Sequence, residues 1–525
     1  MLGLELVVVL SLAVLLCNSL GPRWGVAPPV LLLITGVLLG FVPELRQAHL
    51  PPETVLLLFL PALLYWESLT TSLREIRNNL RGIVLMSTLL VIITAWAVAT
   101  AAHTLGLPWG PAWVLGAAIS PTDATGVAAL ARMLPRRNVT VLRAESLIND
   151  GTALVIYGLA VGITVGEEHF SVPHVSMLFL LAYLGGAAAG ALTAWLALRA
   201  RGLFKDPTLG NVVMILIPFT AYLLAELIEV SGVLAAVVAG LVMSQAGPRM
   251  SGAAPMRRQA DAFWSLATFL LNGALFLLIG LEAQTTVRSL SGSDLTDALT
   301  MVAIVTATLI IIRLAFLFAA AYLIRLIDRR PQQRLRRVSN RARVVSTLAG
   351  FRGAVSLAVA LSVPTALDSG ESFPERDQIV FVTSGVIMVT LLMQGLLLPA
   401  VVRWAHLPTD TSVDEELLLA ETRATEGALA ALPDLAAETG AAPPVVDRLR
   451  AEYETHLAVL YAGRAEVDDD SVLQHAEDYT TLRLALIAHK RATVIGLRDE
   501  HKIDDTVLRQ IQAKLDSDEV RLTHH

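Results

Sequence analysis

Ala144-Glu145-Ser146-Leu147-Ile148-Asn149-Asp150-Gly151 heads a segment that is otherwise apolar as far as about Val165. A segment of that length and composition reads as a membrane-spanning helix, and an acid at membrane depth costs about 3 kcal/mol or more, so it marks a proton or ion pathway. A second apolar segment carries another acid, Asp123, in Ile119-Ser120-Pro121-Thr122-Asp123-Ala124. Two buried acids near helix-breaking residues point to ion transport rather than to ordinary membrane anchoring. On a helix Ser146 and Asp150 are four residues apart, as are Glu145 and Asn149, so each pair shares a face. Burial favours the protonated form of any carboxyl, whereas a cation beside it favours the ionised form. Asp150 can therefore hold a proton or ligate a cation, but not easily both, and that competition is a minimal exchange mechanism. Hard alkali ions prefer oxygen ligands; the Ser146 hydroxyl, the Asp123 carboxylate and carbonyls freed near Thr122 are available. The bland readings are a structural ion pair or an interfacial acid for Asp150 and Asp123. For Ser146 the bland reading is a bond to the preceding turn, and for Asn149 a helix–helix hydrogen bond.

Composition sets the frame around these residues. The chain has 525 residues, 54% hydrophobic and 16% charged, with a mean hydropathy of +0.62. Those values exclude a typical soluble protein and predict a polytopic membrane protein. A single cysteine, Cys17, cannot form an intrachain disulfide. Glu5 stands where a basic signal-peptide region would be, so residues 2–20 read as a retained first span. Residues 1–407 carry 28 Lys and Arg against 22 Asp and Glu, a net +6, whereas residues 408–525 carry 12 against 24, a net −12. Apolar sequence stops at the same boundary, which predicts two modules.

About thirteen stretches are long enough to cross a ~30 Å hydrocarbon core: 2–20, 26–42, 54–71, 83–105, 109–131, 142–165, 174–198, 208–229, 231–246, 262–282, 297–325, 343–364 and 378–402. The loops after odd-numbered spans hold 22 basic residues, eight of them from Arg325 to Arg343; those after even-numbered spans hold Arg46, Arg288 and Arg376. The positive-inside rule then puts the N-terminus outside and the tail in the cytoplasm. Spans five and twelve are both interrupted, the first at Pro121 and Gly126, the second through Ala349-Gly350-Phe351-Arg352-Gly353 and at Pro364. Interrupted helices in corresponding halves predict inverted repeats with a midplane site. The tail reads as helices over 412–432, 444–463, 471–499 and 504–519, punctuated by Pro433, with Ser471 and Asp504 as N-caps.

Glu67 is a third acid in a span and reads either as part of the pathway or as a residue snorkelling to the interface. Arg313 and Arg352 lie inside spans eleven and twelve and read as architectural, since a buried arginine demands a partner and keeps its proton. Glu145 is the obvious partner for one of them. Glu226, Glu229 and Glu282 read as interfacial. The run Gly185-Gly186-Ala187-Ala188-Ala189-Gly190 reads as a close helix contact. No nucleotide loop, zinc helix or nucleophile elbow is present, which speaks against an enzyme; a channel fits a single buried titratable site less well than an exchanger does.

On Ser120-Pro121-Thr122-Asp123, Glu145-Ser146-Leu147-Ile148-Asn149-Asp150 and Gly350-Phe351-Arg352-Gly353-Ala354-Val355-Ser356-Leu357, residues 1–405 resemble the monovalent cation–proton antiporter-1 family, the NhaP/NHE-type sodium–proton antiporters. The resemblance implies an all-α protein whose spans five and twelve cross at their unwound centres within a moving six-helix core, and a homodimer. It implies that Asp150 is the principal ion- and proton-carrying acid, with Thr122 (through its carbonyl), Asp123, Ser146 and Glu67 around the Na+. It implies that Glu145 pairs with Arg313 or Arg352, and that Asn149, before the key Asp, goes with electroneutral exchange. The expected activity is exchange of cytoplasmic Na+ or Li+ for external H+ across a bacterial inner membrane, with no cofactor and no nucleic-acid partner, in contact with membrane lipids. Residues 408–525 are expected to regulate it. K+/H+ exchange on the same scaffold and a membrane sensor signalling through the tail are the rival readings.

Overall fold

The computed structural model describes residues 2–42, 52–123, 136–166, 171–201, 204, 206–246, 254–289, 292–327, 339–350, 352–364, 366–367, 371–407, 410, 412–462, 470–500, 502 and 504–523. The chain divides into two compact units, residues 1–409 and 410–525. Among the described residues the regular structure is helical; an isolated bridge pairs Ala366 with Ser372, and Asp123 also has bridge conformation.

The first unit holds α1 (Leu2–Trp24), α2 (Pro28–Leu39), α3 (Pro52–Thr70), α4 (Leu73–Val84), α5 (Leu90–Thr104), α6 (Trp109–Ile119), α7 (Arg136–Val165) and α8 (Val172–Arg201). It continues with α9 (Pro207–Leu227), α10 (Gly232–Ala246), α11 (Ala254–Ser289), α12 (Gly292–Ile327), α13 (Asn340–Leu348), α14 (Ala354–Leu361) and α15 (Arg376–Ala405). Eight described helices are long and apolar enough to cross a membrane, and four shorter apolar helices accompany them. The protein is therefore an all-helical polytopic membrane protein.

Both expected breaks are present. α6 stops at Ile119: Ser120 still has helical backbone angles, φ −64° and ψ −37°, but Pro121 after it supplies no N–H to continue the ladder. The rest of predicted span five, with Gly126, lies outside the described residues. Span twelve is two short helices, α13 and α14, separated by Ala349–Gly353, and α14 ends three residues before Pro364.

Two boundaries differ from the sequence reading. α7 starts at Arg136 rather than near 142, so Asp150 sits in the middle of a 30-residue helix and not near its head. The predicted span 83–105 is the C-terminal two thirds of a helix running from Leu73 to Thr104, in which Leu85–Leu89 form a π-helical turn. α4 is polar and amphipathic: Ser72 caps it, accepting from the Glu75 N–H at 3.4 Å, and Ile76 and Ile83 bury against Ala144 of α7. Arg74, Arg77 and Arg81 thus lie on a helix, not in a loop.

Small residues set the closest helix contacts. A Cβ on Gly186 or Gly190 of α8 would run into the Ser231 or Ala235 carbonyl at the start of α10, the contact expected of that glycine run. A crossing the sequence reading did not single out joins α2 and α11, where Gly36 lies on the Leu277 carbonyl and Gly280 on the Leu33 carbonyl. Because both neighbours are backbone, nothing can swing aside. Gly280→Val is expected to destabilise the protein by about 1–3 kcal/mol, the usual range for overpacking, read as a lower melting temperature in detergent; an unchanged melt would contradict this packing.

The second unit contains α16 (Ser412–Thr439), α17 (Pro443–Ala462), α18 (Asp470–Asp499) and α19 (Asp505–Thr523). Pro433 does not end a helix as expected: α16 runs through it, carried by alanine- and leucine-rich flanks, and stops before Gly440 at φ 66°. α18 begins at Asp470, so Ser471 lies within the helix and not before it as expected. Asp504 does cap α19, its carboxylate accepting the Thr506 N–H at 2.7 Å, and that bond holds its carboxyl below the ordinary range. Leu460, Ile487, Leu508 and Leu515 are buried, and Arg491 of α18 reaches Asp516 and Glu519 of α19, both at 2.6 Å.

Candidate ion-binding site where the broken helices meet

The two breaks face each other, and each lends the other a charge. Arg352, between α13 and α14, donates from Nε to the Ile119 carbonyl at 2.8 Å and from Nη2 to the Ser120 carbonyl at 3.4 Å. Those carbonyls end α6, where the helix macrodipole is negative and main-chain acceptors are unpaired. Its Nη1 reaches the Gly350 carbonyl at 2.8 Å, and its main-chain N–H donates to the Thr390 hydroxyl at 3.4 Å. In the other direction Asp123, just beyond α6, presses its carboxyl group on Gly353, the N-cap of α14. An anion is favoured at that helix end, and no residue with a Cβ would leave the carboxylate room.

α7 runs past this crossing and presents two faces. On one, Glu145 is 1% exposed and forms a two-pronged pair with Arg313 of α12, at 2.5 Å from Nη1 and 3.2 Å from Nη2. Arg313 Nε also donates to the Ser346 carbonyl at 3.2 Å, and its guanidinium lies on Gly350. The question left open by the sequence is thereby answered: Glu145 pairs with Arg313, and Arg352 serves main-chain carbonyls. Asn149 Nδ2 donates to the Thr122 hydroxyl at 2.7 Å, and that hydroxyl donates to Glu145 Oε1 at 3.3 Å. The Thr122 carbonyl, expected as an ion ligand, accepts only a long contact from Asn149 at 3.4 Å. Asn149 and Thr122 therefore belong to one hydrogen-bonded chain with the Glu145–Arg313 pair. A small cavity on this side is walled by Met86 of the π turn and by Leu90, Val91 and Thr94 of α5. Sequence reasoning missed these four, since nothing in an apolar run marks a π turn.

The other face carries Asp150 and Ser146, 4% and 2% exposed. Among the described residues no hydrogen bond and no arginine or lysine engages the Asp150 carboxyl. The carboxylates of Asp123 and of Glu67, half-buried on α3, are close enough to act on Asp150 electrostatically, and Glu67 is within such range of Arg143 as well. Of the expected site residues, Asp150, Asp123 and Glu67 thus form an electrostatic group, Ser146 shares the Asp150 face, and Asn149, Thr122, Glu145 and Arg313 form the buried network beside it.

Paired broken helices with acids at their meeting point define the secondary-transporter class of membrane protein. The family model for the transmembrane part of sodium/hydrogen exchangers matches residues 7–404, and the chain belongs to that family of monovalent cation–proton antiporters. It is 44% identical over 522 residues to an uncharacterized Na+/H+ exchanger of Mycobacterium tuberculosis, covering 99% of this chain and 96% of that protein. It is 31% identical over 384 residues to the sodium, potassium, lithium and rubidium/H+ antiporter of Bacillus pumilus, covering 71% of this chain and 57% of that one. The solved structure of the sodium proton antiporter MjNhaP1 from Methanocaldococcus jannaschii shares the fold, with a TM-score of 0.57 at 16% identity over 77% of this chain and 99% of that chain.

Proposed function

We propose that this protein is a Na+/H+ antiporter that exchanges cytoplasmic Na+ or Li+ for external H+ by alternating access, with Asp150 as the acid that both cations occupy in turn. The observation that carries this reading is a buried carboxyl that has no hydrogen bond or basic partner among the described residues, beside two broken helices. With no fixed cationic partner among the described residues, such a group can take either a proton or a metal cation, and the two compete for it. Ser146 and Asp123 are the further oxygen donors to the transported Na+, and Glu67 adds negative potential along its route. The Thr122 carbonyl is the remaining donor. Asn149 holds Thr122 in register with Glu145 and adds no charge.

The charge balance follows from that assignment. Exchange of one Na+ for one H+ on a single carboxylate moves no net charge, so transport is electroneutral. The loop charges support an N-terminus outside and a cytoplasmic C-terminus in a bacterial inner membrane, with residues 408–525 as a regulatory domain of a homodimer. K+ as a cargo is the second reading, favoured by the potassium in the name of the Bacillus relative.

Full-length protein in proteoliposomes, with an acid-inside gradient reported by a pH-sensitive dye, tests both points. Na+ and Li+ are expected to dissipate the gradient, at a rate that does not change when valinomycin clamps the potential. A net charge crossing the membrane would feel about 2.3 kcal/mol per 100 mV, so a clear voltage response would overturn one-for-one exchange. A faster response to K+ than to Na+ would favour the second reading.

A further inference from the structure

α14 is only eight residues long and meets Asp123 at its N-cap, Gly353, so whatever holds its far end also sets where that first turn sits. Arg376 holds it, donating from Nε to the Val363 carbonyl at 2.9 Å and from Nη2 to the Leu361 carbonyl at 3.1 Å. Unpaired carbonyls and the negative end of the macrodipole make that helix end a site for a cation. Alongside, the Ser362 hydroxyl donates to the Val359 carbonyl at 2.8 Å and lies 3.1 Å from the Tyr157 hydroxyl. Tyr157 is two turns along α7 from Asp150 and on the same side of that helix.

Two local features around Arg376 are unfavourable to its own helix. It is the first residue of α15, where a positive charge opposes the macrodipole. The residue before it, Glu375, has φ 56° and ψ 25°, a left-handed conformation that costs a residue other than glycine about 1 kcal/mol. Neither helps α15, but together they aim the guanidinium at the end of α14.

We infer that Arg376, assisted by the Tyr157–Ser362 contact, is a positioning residue for ion exchange: it fixes α14 along its axis and thereby sets Gly353 and Asp123 in place beside Asp150. It touches no transported ion and acts only through the broken helix. The inference rests on the exchange reading above and makes a separable demand on it. In the full-length proteoliposome assay, Arg376→Gln is expected to raise the apparent KM for Na+ about tenfold, the equivalent of one charge-assisted hydrogen bond, with the maximal rate retained. Arg376→Lys keeps the charge and one donor, and is expected to recover most of that change. Tyr157→Phe removes a single oxygen and is expected to raise KM about threefold, as for a neutral hydrogen bond; it decides the matter by the same criterion if Arg376→Gln does not fold. A lower maximal rate with KM unchanged, or a lysine variant no better than the glutamine one, would overturn the inference. Absence of Na+-driven exchange in the wild-type protein would instead sink the antiport reading.

Discussion

Asp150→Asn is expected to reduce Na+-driven proton exchange to the level of empty liposomes while leaving the melting temperature unchanged or slightly raised. The two halves of this outcome come from one observation. The Asp150 carboxyl is buried among apolar helices and accepts no hydrogen bond or ion pair from the described residues. Its ionised form is therefore expensive to bury, and a neutral amide of the same shape relieves that expense. A carboxylate retained for architecture behaves in the opposite way, because its removal strands the partner that it neutralises. Stability and transport thus move independently at Asp150 and together at a structural acid. Dye dequenching by Na+ and Li+, with melting of the same preparation in detergent, reads both quantities. Surviving exchange in Asp150→Asn would remove Asp150 from the pathway, and a large fall in melting temperature would make it a packing residue.

The parts of this arrangement that were legible in the sequence are those in which a residue type has few alternatives. An acid within an apolar run, a proline after a helix and a glycine pair flanking an arginine each limit what the local backbone can do, and Asp150, Pro121 and Gly350-Phe351-Arg352-Gly353 were found in that way. Pairing between distant residues was not legible. Arg313 and Arg352 are both buried and both follow Glu145 by more than 160 positions, and only the fold distinguishes the one on α12 from the one that caps α6. The π turn at Leu85–Leu89 was silent because one extra residue per turn leaves the hydropathy of the segment unaltered. Gly36 and Gly280 carry no local signal either, since each matters only through the other helix's backbone. Pro433 misled because its position in an alanine-rich helix outweighs its usual role as a stop.

Breaking the Glu145–Arg313 pair is expected to produce the largest loss of stability. Arg313→Met leaves the Glu145 carboxylate without its counter-charge, and Glu145→Gln leaves two guanidinium groups facing one cavity. An uncompensated buried charge costs about 3–5 kcal/mol, a large share of the stability of most proteins, so both single variants are expected to express poorly and to melt at much lower temperature. Arg313→Lys is expected to be nearly as damaging. One ammonium cannot span both Glu145 oxygens and the Ser346 carbonyl, which the flat guanidinium reaches together at 2.5, 3.2 and 3.2 Å. The double variant Glu145→Gln/Arg313→Met removes both charges and is expected to recover much of the lost stability, because replacing a whole buried pair is often close to neutral. Melting of the four proteins in a double-mutant cycle measures the coupling. Additive losses would mean that the pair is not the unit holding α7, α12 and α13 together. Recovered stability without recovered exchange would separate scaffold from transport, since Thr122 and Asn149 would lose the anchor that sets them beside the crossing.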